Sequence, residues 1–466
     1  EGLGGGNHHQ HEVVSFNRGG DSRGLSVLTP AMGVIGDRWL SAKLVGARLA
    51  REGGTSNINL PDTALSRASL APTEIMAASA IVPPGFCYGD IPLRIAFLFA
   101  AWLLSFGALA APGEVATLDR STWPEQLDSP TLFDVASRAE ILMFARVLLA
   151  SESLDEPSLA QRLGLRTINL EAVNNLRQRL WQRLLSNYSF AQRSCDQDAS
   201  FCFLVEDMDT LRQQAAKFQL SDDSYYIKWA EPSRLFHARY LDEQLRKAAL
   251  FPQSSSEVDR FGDHERNGAT MNDRLFLLTF DSAANATPDN TAWVAEYLRK
   301  AKMSGTFFVL GKDIQARLNE RSVASLQATY SMQCIGVQGW EFRSHSHWLD
   351  WQDSVRRSVE RVKGKLPENY MPLFRPPDGQ RRGDAESFFR AQGLQVALWD
   401  IDAQDGAGKL QPDQSAQRVL TLMLLWRHGV INFNIKQDGV KTAMPWLITQ
   451  TAQSGIGWED CQDGFR

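Results

Sequence analysis

The sequence predicts an α/β protein preceded by an all-α segment, and three observations carry that reading. Between about Thr117 and Pro252, apolar residues recur at helical spacing. A stretch rich in Ser, Gly and charge, FPQSSSEVDRFGDHERNGATMNDR from Phe251 to Arg274, then breaks the pattern. After it, short apolar strands alternate with helical runs, the texture of a mostly parallel sheet or barrel.

The elements follow in order. With 466 residues, the chain is long enough for two or three domains. Its first 92 residues open EGLGGGNHHQHE, contain RGGDSRG and show neither helical nor strand periodicity. Residues 1–92 are therefore expected to be a disordered stretch or a mistaken upstream extension of the reading frame, with the true start near Leu93 or at Met76. The cluster His8-His9-Gln10-His11 carries little weight as a metal tract in such a segment. Residues 93–110 have the layout of a secretory signal peptide. Arg94 precedes an apolar run from Ile95 to Leu104, and Ala108-Leu109-Ala110 is a small-x-small cleavage site. The run is shorter than the ~20 apolar residues of a spanning helix, which favours a cleaved signal over an anchor. The mature chain is expected to begin near Ala111.

Residues 111–252 are expected to form the helical domain. In SPTLFDVASRAEILMFARVLLA, Ser129 is a cap, Pro130 takes the first helical position, and apolar residues follow at helical spacing. LEAVNNLRQRLWQRLLSNY from Leu170 repeats the pattern, and further helices are predicted over Val205 to Phe218 and Pro232 to Leu250. Residues 253–273 read as a linker. Residues 274–466 read as the α/β domain, with LFLLTF, GTFFVLG, CIGVQGWEFRSH, QVALWDID and GVINFNI as its strands.

Removal of the signal would leave four of the five cysteines. An even number in an oxidising compartment suggests two disulfides. Cys195 and Cys202 are close enough in sequence for a local loop, which leaves Cys334 with Cys461; buried free thiols stay open as the alternative. No CxxC occurs, so a thiolate zinc site is not expected. A net charge of −5 without a basic stripe argues against a nucleic-acid partner.

Parallel α/β folds place their chemistry at the carboxyl ends of the strands. Here four strand ends carry polar groups: Asp281 after LFLLTF, His345 in EFRSHSHWLDW, Arg375 in LFRPPDGQ, and Asp402 with Asp405 in LWDIDAQDG. Singly, each reads as a helix cap, a surface residue or a rigid loop. Their order, one strand end after another, is more than caps would produce.

In that order and spacing, residues from about 270 to 466 resemble the polysaccharide deacetylases of carbohydrate esterase family four, the NodB-homology domain. TFDSAANATPDNTAWVAEYLRKAKMSGTFFVLG is similar to the family's first motif, FRPPDG to its arginine-proline-proline motif, and WDIDAQD to its tryptophan and aspartate motif. The resemblance implies a distorted (β/α) barrel of the NodB-homology type. It also implies metal-dependent removal of N- or O-acetyl groups from chitin, peptidoglycan or exopolysaccharide. Such chemistry needs a metal to polarise the acetyl carbonyl, a carboxylate base and a proton donor for the leaving group. By this likeness Asp281 is the base, Arg375 orients it, Asp405 tunes the acid, and Pro377 and Trp399 line the substrate groove. His345 is the first metal-ligating histidine.

Three family positions are replaced. Ser282 stands where a second aspartate binds metal, Leu349 where the second histidine does, and Asn434 where the acidic histidine lies. His347 and Asp350 are the neighbours able to complete a site with His345, although strand alternation would put Asp350 on the opposite side. Ser282, Leu349 and Asn434 are expected to face one cavity with Asp281, Arg375 and His345. Two functions are compatible with this pattern. One is an exported hydrolase of carbon–nitrogen (non-peptide) bonds with a rebuilt site, using zinc or a similar divalent ion. The other is a catalytically degenerate carbohydrate-binding relative without metal. Both imply an acetylated polysaccharide or oligosaccharide as partner, a periplasmic or extracellular setting, and no membrane span after signal cleavage. Trp340, Trp348, Trp351 and Trp399 suit sugar stacking or simple core packing.

Overall fold

Ser129 starts the first helix as its sequence requires. Its side chain accepts a hydrogen bond from the Leu132 N–H at 3.2 Å, and Pro130 occupies the position whose N–H has no intrahelical partner. The computed structural model describes residues 114–250, 260, 262–282, 289–406 and 410–465. Residues 1–92 and 93–110, expected as extension and signal peptide, lie outside the described residues. Among those described, no helix is long and apolar enough to cross a membrane.

The first half of the described chain holds α1 (Pro130–Glu152), α2 (Glu156–Arg162), α3 (Leu170–Ala191), α4 (Met208–Lys217) and α5 (Ile227–Leu250). The second half winds strands and helices alternately. Its strands are β1 (Glu265–Arg266), β2 (Leu275–Asp281), β3 (Thr306–Val309), β4 (Cys334–Val337), β5 (Tyr370–Phe374), β6 (Gln395–Ala397), β7 (Ile401–Asp402), β8 (Gly429–Asn434) and β9 (Gly457–Trp458). Between them run α6 (Thr291–Lys300), α7 (Gly311–Glu320), α8 (Val323–Thr329), α9 (Trp351–Lys365), α10 (Glu386–Ala391), α11 (Pro412–Trp426) and α12 (Val440–Gln450).

The sheet runs β1-β6-β5-β4-β3-β2-β8-β7, with β9 also on β2, and every pairing is parallel. Parallel pairing leaves all the carboxyl ends on one rim. The sheet curls, because Gly268, just beyond β1, meets Gly429 at the start of β8. A Cβ on Gly268 would lie 2.3 Å from the Gly429 α-carbon, so only glycine permits this approach. Asp400 fixes the contact by accepting from the Gly268 N–H at 2.7 Å and the Val430 N–H at 2.9 Å. The result is the distorted, incompletely closed (β/α) barrel expected from the sequence.

Part of the expected linker belongs to that barrel. Glu265 in β1 is buried and forms a two-pronged ion pair with Arg381 at 2.5 and 2.9 Å. A charged residue reads as solvent-facing in sequence, but a buried carboxylate is tolerable when a guanidinium meets both of its oxygens.

The helical half packs onto α11, which is buried along most of its length. Ser137 donates to the Leu424 carbonyl at 2.7 Å, Asn187 to the Leu425 carbonyl at 3.1 Å, and Trp426 to the Tyr240 hydroxyl at 3.0 Å. Asp134 on α1 meets Arg274 and Arg427 of the barrel at 2.7 and 2.8 Å. One apolar cluster therefore runs from Phe133, Leu142 and Phe144 through Leu422 to Phe280. At about 1.5–3 kcal/mol for each fully buried Leu or Phe, this shared core holds the helices against the barrel.

Both disulfides join the expected partners. Cys195 bonds Cys202, and Cys334 of β4 bonds Cys461, each with α-carbons 5.9 Å apart.

Candidate active site at the strand ends

Position 281 is where the β2 register ends, beside Phe308 of β3 and Asn434 of β8. Alternation along β2 sends Thr279 and Asp281 to the same face, and along β8 it does the same for Asn432 and Asn434. These polar pairs inside apolar strands line the barrel interior, and Arg375 fills the space between them.

Arg375, one residue past β5, is wholly buried. Its Nη1 donates to Thr279 Oγ1 at 2.7 Å, Asn432 Oδ1 at 3.0 Å and Asp281 Oδ1 at 3.1 Å. Nε and Nη2 donate to the Ala397 and Leu398 carbonyls, both at 3.1 Å. The guanidinium also stacks 3.9 Å over the Phe308 ring. One side chain thus touches β2, β3, β8 and the end of β6, so the strands must curl around it. Asn432 Nδ2 donates to the second oxygen of Asp281 at 3.0 Å. Burial raises the Asp281 carboxyl above its ordinary range, against the opposing pull of Arg375 and Asn432.

Asp405 lies at the next strand end. Both of its oxygens accept from the Asn434 backbone N–H at 3.1 Å. Burial pushes its carboxyl up to about 8, with the Asp402 and Asp281 charges adding to the rise and the Asn434 N–H opposing it. It is therefore a protonated acid at neutral pH. The Asn434 side chain accepts at Oδ1 from the Lys436 N–H at 2.8 Å. Asp402 accepts from the backbone and side-chain nitrogens of Gln404, both at 2.8 Å.

The ligand positions are less well served. Ser282 is buried; its N–H donates to Gln338 Oε1 at 3.0 Å and its Oγ has no partner among the described residues. His345 is buried between Trp348 and Phe374, with ring centroids 5.5 and 5.2 Å away. Burial lowers it to about 4, so the ring is neutral at pH 7. Its Nε2 lies 3.2 Å from Ser354 Oγ on α9, and Gly339, at φ +92°, makes room for it: a Cβ there would sit 2.6 Å from that nitrogen. Nδ1 has no partner among the described residues.

Three expectations need correction. Leu349 does not face the cavity: it is 90% exposed on the turn leading into α9, where no apolar surface covers it. His347 and Asp350 are exposed as well and do not gather with buried His345; among the described residues no three His, Cys, Asp or Glu side chains form a metal cluster. Pro377 is buried and Trp399 is only 6% exposed, with Arg375 5.4 Å over its ring, so neither offers a free stacking face. A divalent ion takes about three anionic or imidazole ligands and an open position. One hydroxyl and one imidazole whose Nε2 meets Ser354 do not fit that requirement.

Sequence reasoning missed Thr279, Asn432, Ser354 and Asp378. The first two were legible as polar residues in period two within apolar strands. Ser354 sits on a helix nine residues after its partner, where no local pattern marks it. Asp378 adopts φ 54° on the turn Pro377–Gly379, close enough to Asp281 and Asp402 to feel both charges.

A family model for polysaccharide deacetylase matches residues 268–397, the stretch that contains Asp281, His345 and Arg375. The chain carries a divergent polysaccharide deacetylase domain. It is similar to the peptidoglycan-N-acetylmuramic acid deacetylase PdaC of Bacillus subtilis, at 28% identity over 41% of this chain and 39% of the relative. It is also similar to a bifunctional xylanase/xylan deacetylase of Cellvibrio japonicus, at 26% identity over 28% of this chain and 19% of the relative. The polysaccharide deacetylase domain's matches thus span well under half of those relatives. Among solved structures, wild-type BA3943 from Bacillus anthracis, described as a pseudoenzyme of carbohydrate esterase family four, aligns with a TM-score of 0.36 at 17% identity. That alignment covers 41% of this chain and 65% of the other.

Proposed function

We propose that this is an exported carbohydrate-binding relative of the polysaccharide deacetylases, in which the barrel grips an acetylated polysaccharide without a divalent metal. One observation carries the reading: the ligand positions hold Ser282, exposed Leu349 and a His345 whose Nε2 is occupied by Ser354. The two disulfides support an oxidising, extracytoplasmic setting. Calorimetric titration of the purified full chain with acetylated and fully deacetylated chitooligosaccharides, alongside metal analysis, tests it. Binding that prefers the acetylated series, without stoichiometric metal, supports the proposal; absence of binding to either series refutes it.

A second reading, slow metal-independent deacetylation, is favoured by Asp405. Asp281 would take a proton from the attacking water. Asp405, protonated up to about pH 8, would give one to the leaving amine as the carbon–nitrogen bond breaks, releasing acetate. Acetate release that is lost in both Asp281→Asn and Asp405→Asn would establish this reading.

A further inference from the structure

A cleft of about 350 Å³ opens in the helical half of the molecule, on the chain around the Cys195–Cys202 disulfide. We infer that it is a second carbohydrate site, which binds a short N-acetylated oligosaccharide through aromatic faces and side-chain amides. The inference rests on the sugar-handling role proposed for the barrel.

The loop that forms one wall is locked in place. Arg138, fully buried on α1, donates to the carbonyls of Ala191, Asp198 and Ser200 at 2.7, 2.9 and 2.9 Å. The Tyr188 hydroxyl donates to the Phe201 carbonyl at 2.7 Å and accepts from the Phe203 N–H at 2.9 Å. This framework holds Phe201 at φ 58°, a left-handed conformation rare for a bulky residue. Such strain persists where the surroundings over-determine it, and here the outcome is an aromatic ring fixed in a cleft wall.

The lining has the chemistry of a sugar site. Phe201 packs 4.8 Å from Tyr226 and 6.1 Å from buried Phe218, so half-buried Phe201 and Tyr226 present the apolar surface for the C–H side of a pyranose ring. Gln214 and Gln219 supply amides that both donate and accept, as hydroxyl and acetamido groups require. Lys217 is the one charged residue in the lining, so the cleft suits a neutral or acidic sugar and gives no counter-charge to a cation. Phe203, 40% exposed, extends the apolar surface at the rim. The volume is at the lower end of small-ligand sites, on the order of 300–1,000 Å³.

Hydrogen–deuterium exchange of the full chain, with and without N-acetylchitotetraose or xylotetraose, reads the two sites separately. We expect N-acetylchitotetraose, and not xylotetraose, to slow exchange in residues 195–226, and Gln214→Ala with Gln219→Ala to weaken that response at least tenfold. Gln219 is exposed and Gln214 half-buried, and Phe203→Ala, at an exposed residue, provides a second, independent variant. Protection confined to the barrel would overturn the inference while leaving the barrel reading intact. Protection confined to residues 195–226 would do the reverse. No protection in residues 195–226 with N-acetylchitotetraose, or an undiminished response in both variants, would also overturn it.

Discussion

Replacing Asp405 by Asn should remove a loss of stability that accompanies rising pH between 6.5 and 8. In the folded protein the carboxyl is held protonated up to about 8, whereas in the unfolded chain it ionises near its ordinary value of 3.8. The folded state therefore binds the extra proton throughout that interval, and the linkage has a definite sign. Stability is greatest below the unfolded value and is lost as pH rises toward the folded one, at up to about 1.4 kcal/mol per pH unit. His345 and His428, both lowered by burial to about 4 from an ordinary value of 6.5, are neutral in the folded protein but partly protonated in the unfolded chain near pH 6.5. They therefore oppose the Asp405 slope at the low end of the interval, but that contribution is common to both proteins and cancels in the difference between them. From urea unfolding at pH 6.5, 7.0, 7.5 and 8.0, the stability of the wild type relative to Asp405→Asn should fall steadily, with the loss tailing off toward 8. Parallel curves for the two proteins would refute the claim that Asp405 is a buried, protonated acid.

Further outcomes follow from the same contacts. Arg375→Met should cost about 3–5 kcal/mol in urea unfolding, because it strands Asp281 without its cation, and adding Asp281→Asn should recover part of the loss. A double variant no more stable than the single one would remove Arg375 from that role. Replacing Cys334 and Cys461 by Ser should lower stability by about 2–5 kcal/mol under oxidising conditions, since the bond closes a separation of 127 residues. Under reducing conditions, where Cys195–Cys202 is open in both proteins, wild type and variant should have similar stability. Ser282→Asp should raise zinc affinity at least tenfold by calorimetry, since it returns a carboxylate to a buried position, and adding Leu349→His should give no further gain because position 349 lies in solvent.

Much of the barrel was legible because its determinants are local. An apolar run ending in Asp281, a rigid RPP after Arg375, and capping by Ser129 each leave a mark in a few consecutive residues. The contacts that decide the site's chemistry are not local. Glu265 looks like linker until Arg381, far along the chain, neutralises it. His345 looks like a free ligand until α9 places Ser354 against its Nε2. Leu349 occupies the family's histidine position by count, but the turn before α9 leaves it in solvent, which spacing alone does not reveal. The burial that protonates Asp405 comes from the folding of β7, β8 and α11 around it, and no pattern within WDIDAQD announces it.

The account depends most on the failure of Ser282 and His345 to make a divalent site, and zinc analysis tests that directly. The purified full chain would be equilibrated with excess zinc, desalted, and its bound metal measured in parallel with Ser282→Asp. We expect well under one zinc per chain for the wild type and a clear gain for Ser282→Asp. One tightly held zinc per wild-type chain, with acetate released from chitooligosaccharide, would contradict that expectation.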